Sequence, residues 1–129
     1  MHWTGDATGH LLVEHPEKDE YRDPWRLIAY VAQNASRFSE AELLTLGALT
    51  LFMAIREVSP ATRGLQVLVA ADRGIDSFGP VHPAFYAGVS SLKERLLSRR
   101  LDDQPAVRAV AFQLVRPALE AHGWSDPLA

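Results

Sequence analysis

The sequence predicts an all-α fold, a single-domain bundle of about five helices with an irregular N-terminal arm. Three observations predict it. Five segments repeat apolar residues at spacings of three and four, and each opens on a helix-start signal. A run from Leu43 to Ile55 is apolar almost all round. Local signals of different kinds that agree are what a specified fold requires. At 129 residues and 47% hydrophobic content, the chain fits one domain with a real core. The expected organisation is an arm over 1–22, a bundle over 23–123 and a C-terminal tail over 124–129.

The first helix is expected from Asp23 to about Arg37. Asp23 can cap the free amides, and Pro24 suits a first helical position where no N–H is needed. Trp25, Ile28, Ala32 and Ala35 form its apolar stripe. The second helix has the strongest signature. Ser39 and Glu42 make a capping box, and Phe38 is placed to staple onto Leu43. A helix apolar on every side is buried on several sides, so Leu43–Ile55 belongs at the centre. Gly47 costs about 1 kcal/mol there relative to alanine, a cost that a close helix crossing would explain.

The third helix is expected to open at Ser59-Pro60, with Leu65, Leu68 and Val69 facing inward. Residues 65–70 also read as a short buried strand, since brief apolar runs do not separate the two. The Ser-Pro start favours helix. Arg73 to Pro80 holds two glycines and a proline and reads as a loop. The fourth helix starts near His82-Pro83, with Phe85, Val89, Leu92 and Leu96 as its stripe and Ser90, Lys93 and Glu94 toward water. The fifth starts near Gln104-Pro105, with Val107, Val110, Ala111, Leu114 and Ala118 on one face. Pro117 is expected to interrupt and kink it, and Gly123 to end it. Residues 1–22 have no helical period, and Leu11, Leu12 and Val13 are the side chains that would pin them to the bundle.

Composition narrows function by exclusion. The net charge is −3 and the pI is about 5.9. Nucleic-acid binders draw most of their affinity from neutralising phosphate, so nucleic acid is not an expected partner. Arg95, Arg99 and Arg100 still cluster, at what reads as a solvated helix end. With no cysteine there is no disulfide, thiolate metal site or cysteine nucleophile. The longest apolar run is 13 residues, against about 20 for a bilayer span, so no membrane role is expected and a cytoplasmic location is. His2, His10 and His15 lie near acidic residues, but their spacing does not put two ligands on one helix face, and no metal or cofactor is assigned. No phosphate-binding loop, nucleophile elbow or helical zinc motif is present.

One segment carries a candidate chemistry. Arg116-Pro117-Ala118-Leu119-Glu120-Ala121-His122 places an arginine six positions before a histidine on the last helix of a small bundle. It resembles the motif of HEPN ribonucleases, in which an arginine and a histidine from paired subunits act on the RNA backbone. The resemblance covers these seven residues. It implies that Arg116 would stabilise developing phosphate charge and His122 would move protons. Pro117 stands where that family usually has a polar residue. The same residues also read as a helix-terminal histidine suited to the helix dipole with a surface arginine, and that reading is adopted. No catalytic residue is therefore assigned.

Trp3 and Trp124 fall outside the expected helices, where tryptophan either anchors a partner or folds back on the bundle. Trp3, Trp124, Arg95, Arg99 and Arg100 are the candidate partner-binding residues. The function expected is protein–protein contact without catalysis, in an adaptor, regulatory subunit or self-assembling component. The reason is that a bundle this small has trouble covering one all-apolar helix and four further stripes. The partner is another protein, the chain itself or both, with a homodimer expected. The alternative is a HEPN-like ribonuclease or inactive relative using Arg116 and His122. The third reading is a small-ligand sensor with a pocket between helices.

Overall fold

A computed structural model describes residues 23–124. The assigned arm, including Trp3, His2, His10 and His15, and tail residues 125–129 lie outside the described residues. The described chain is an all-α bundle of five helices: α1 (Pro24–Asn34), α2 (Glu40–Arg56), α3 (Leu65–Phe78), α4 (Pro83–Leu97) and α5 (Gln104–His122). A short 3-10 turn, Ala35–Arg37, separates α1 from α2.

The helix starts form as the sequence dictates. The Asp23 carboxylate accepts from the Trp25 N–H at 2.8 Å, and Pro24 follows it. Ser39 and Glu42 close both halves of the capping box at 3.1 and 2.8 Å. His82 caps α4 through Nδ1, which accepts from the Ala84 N–H. Asp103 caps α5 by accepting from the Ala106 N–H.

Helix α2 is the axis of the fold. It packs on all four other helices and most extensively on α4. Eleven of its residues are buried, Leu43 and every residue from Leu49 to Ile55 among them. Phe38 and Leu43 are both buried in the same core. The α2–α4 crossing is set by paired glycines. A Cβ on Gly47 would collide with the Phe85 carbonyl, and one on Gly88 with the Leu44 carbonyl. The expected close crossing at Gly47 is present, and Gly88 supplies its other half. The hydroxyl of buried Thr50 donates to the Leu46 carbonyl, and the buried Gln104 side chain donates to the Ile55 carbonyl at 3.0 Å, tying the start of α5 to the end of α2.

Several expectations need correction. Ser59-Pro60 opens a turn, because Ser59 bonds to the Ala61 and Thr62 amides instead of starting a helix. Helix α3 begins six residues later, after Gly64 at φ 49. Residues 65–70 are helical, but Leu65 and Val69 point outward while Val67, Leu68, Ala71 and Ile75 are buried. The expected loop at 73–80 is helix as far as Phe78. Gly74 sits inside that helix, and the Trp25 ring lies where its side chain would be. The buried stripe of α1 is Leu27, Ile28 and Val31, with Trp25 part-exposed over α3.

The expected interruption at Pro117 does not break α5, which is one helix from Gln104 to His122 with Pro117 on an exposed side and Gly123 at its end. Val115 and Leu119 join its buried stripe. Phe85, Val89, Leu92 and Leu96 of α4 are buried as expected, whereas half-buried Lys93 reaches α3 and pairs with Asp72 at 2.8 Å. Among the described residues no helix is long and apolar enough to cross a membrane.

Candidate functional site

Helix α3 lies at the edge of the bundle. Its packing is mainly onto α2 and, to a smaller extent, α1. Among the described residues, six large apolar side chains are exposed: Trp25, Leu44, Leu65, Val69, Phe78 and Leu97. Three of them are on α3, and two more, Trp25 and Leu97, line clefts that α3 forms with its neighbours. Leu65, at 58% exposed, and Val69 stand one turn apart on the outward side. Phe78 continues the buried line of Ala71 and Ile75 past the edge of the core, where it lines a cleft with Trp25.

Two clefts flank this helix. One, of about 410 Å³, lies between Trp25, Gly74, Ser77 and Phe78. The other, of about 230 Å³, lies at the start of α3 and the end of α4. Leu65, Leu68, Leu96, Leu97 and Leu101 wall it, together with Arg100. Arg100 is the one described non-glycine residue with positive φ, at 50°. An L-residue pays about 1–2 kcal/mol for that conformation. The surrounding turns are pinned to each other. Gly64 N–H donates to the Asp102 carbonyl at 2.7 Å, and Gln104 N–H to the Thr62 carbonyl at 3.1 Å. The expected arginine cluster thus divides: Arg100 lines this cleft, Arg99 precedes it in the same exposed turn, and Arg95 lines a separate groove with Leu44, Thr45 and Ser91.

The candidate catalytic pair is held by other partners. Arg116 is about 64% exposed and its Nε donates to Glu120 at 2.9 Å, one turn away. Its guanidinium lies 6.0 Å from the Phe112 ring. His122 Nε2 lies 3.0 Å from the Thr45 hydroxyl. That hydroxyl also reaches the Ala41 carbonyl at 3.1 Å, so Thr45 links α2 and α5 at this point. Six residues along a helix turn through about 600°, which sets Arg116 and His122 roughly 120° apart around α5.

Trp124 is the fold-back case of the two alternatives. It is 6% exposed and stacks on His122, with ring centroids 4.4 Å apart. Gly123 closes α5 at φ 72, and the Gly123 and Trp124 amides donate to Glu120 and Leu119. This is the Schellman arrangement, whose outer residue packs back on the helix. Trp124 therefore presents little surface to a partner.

The burial of Tyr86, with Asp76 nearby, raises its hydroxyl above the usual phenol range. That hydroxyl donates to the Gly79 carbonyl and fastens the turn after α3. Among the described residues, no three His, Asp or Glu side chains group as a metal site would require.

The Trp25–Phe78 cleft was not foreseen. Its sequence signal is the continuation of the Val67, Ala71, Ile75 spacing to Phe78, which the glycine at 74 obscured. The cleft at Leu65 and Leu97 was missed because Leu65 was assigned to the core. Comparison with known proteins finds no matching family model, no matching curated protein and no matching solved structure.

Proposed function

We propose that this chain is a small protein–protein interaction module without catalytic activity of its own, docking through the outer side of α3 and the clefts beside it. A second copy of the chain is the first partner to consider. The observation that carries the reading is the concentration of exposed apolar side chains. Five of the six lie on α3 or line its clefts, while the rest of the bundle buries its stripes. Exposed apolar residues scattered singly need no explanation, but a gathering along one helix marks a contact surface.

Light scattering on the full chain tests this. The weight-average mass should rise with concentration for the wild type and stay at the monomer value for the double variant Leu65→Ser, Val69→Ser. Both side chains are exposed, so the melting temperature should hold. A wild type that is monomeric throughout removes the second copy as partner. A variant that associates as well as the wild type removes α3 as the surface.

A further inference from the structure

We infer that the cleft walled by Leu65, Leu97, Leu101 and Arg100 receives an acidic, apolar-headed chain segment, and that its occupant is residues 11–20 of the same chain. The inference rests on the reading of α3 as a docking surface and adds what covers one end of it.

The charge distribution is the first argument. Residues 23–124 hold eleven Lys and Arg against ten Asp and Glu, whereas residues 1–22 hold two against five. The helical body is thus nearly balanced, and the first 22 residues carry most of the negative charge. Residues 11–20 read Leu-Leu-Val-Glu-His-Pro-Glu-Lys-Asp-Glu, three apolar residues followed by four carboxylates and one lysine. The cleft has the complementary order, leucine walls with Arg100 among them and Arg99 and Arg63 on the adjoining turns. The acids there are Asp102 and Asp103, and the Asp103 carboxylate is already bonded to the Ala106 amide.

Reach is the second argument. The chain enters the bundle at Asp23, and Trp25 lies over Gly74. From Gly74 to Leu65 is nine residues of α3, about 14 Å at 1.5 Å per residue. Ten residues from Val13 to Asp23 extend up to about 33 Å. The connecting residues are long enough to span that distance. Docking there would set Leu11, Leu12 and Val13 against the leucines and the carboxylates against the arginines.

The natural chain has no cysteine, so introduced pairs report on proximity without background. In the full chain, His15→Cys with Ser98→Cys probes this cleft, and His15→Cys with Ser77→Cys probes the Trp25 cleft nearer the point of entry. Under mild oxidation the Ser98 pair should close an intramolecular disulfide about tenfold faster, because docking raises its effective concentration. High salt, or adding Arg99→Glu and Arg100→Glu, should abolish the difference. Equal rates, a faster Ser77 pair, or linkage only between copies would each overturn the inference. The Leu65→Ser, Val69→Ser comparison judges the docking surface independently. Association lost in that variant, with no preferred disulfide, leaves the module standing and removes its occupant.

Discussion

The Cα of Gly47 in α2 faces the carbonyl of Phe85 in α4 with no room for a side-chain carbon between them. Gly88 repeats the arrangement in the other direction, against Leu44. The central helix and its most extensive neighbour are therefore joined backbone to backbone. Gly47→Ala and Gly88→Ala should each destabilise the fold by about 1–3 kcal/mol or more, despite the better helix propensity of alanine. Urea unfolding measures this, and an alanine variant as stable as the wild type would contradict the crossing.

Gln104 should be the polar residue whose loss matters most to the core. Its amide satisfies the Ile55 carbonyl from a buried position. The Val58 N–H still reaches that carbonyl, so Gln104→Ala should cost about 1 kcal/mol through the lost side-chain bond, plus the lost packing. Its neighbour Pro105 is exposed, and Pro105→Ala should change stability by much less.

Tyr86 sets an alkaline limit. Its folded pKa is raised, by burial first and by Asp76 second, so the folded state holds the phenol proton more tightly than the unfolded chain. The stability this contributes is fully present below the ordinary tyrosine pKa. It is lost as pH rises through the raised value. Tyr86→Phe removes the bond to Gly79, costs about 1 kcal/mol near neutrality and flattens the alkaline fall. Thermal melts of both proteins from neutral pH upward check the sign.

Arg100 is expected to trade stability for a cationic wall. Arg100→Gly should relieve the left-handed backbone and stabilise the chain by about 1 kcal/mol. A neutral or destabilising result would mean that its side chain contributes more to packing than the turn costs.

His122 is expected to be a structural residue. Its bond to Thr45 and its stack with Trp124 join the end of α5 to α2. His122→Ala should lower the melting temperature. Purified wild type and Arg116→Ala should leave RNA equally intact. Cleavage by the wild type that disappears in either variant would restore the ribonuclease reading.

Much of the fold was legible because its signals are local. Asp23-Pro24, the Ser39–Glu42 box, His82-Pro83 and Gly123 each act within one helical turn, and each stands where the sequence places it. The apolar run of α2 could be read as central because no polar face was left to meet water. The errors fell where tertiary contact decides. Gly74 looks like a breaker in sequence, yet it lies inside α3, and the Trp25 ring fills the space a side chain there would take. Ser59-Pro60 has the composition of a helix start, yet its bonds close a turn and α3 begins beyond Gly64. The inward and outward sides of α3 then shifted, which hid Leu65 among the core residues. Trp124 could not be placed from sequence because its burial depends on a stack with His122 that only the closed helix end creates.

The most direct test of the account is amide NMR of the full chain across a concentration series. The account predicts shifts gathered in residues 65–78 and 97–101, weakened in the Leu65→Ser, Val69→Ser variant. Shifts confined to α5 around Arg116 and His122, or a spectrum unchanged with concentration, would contradict self-docking through α3.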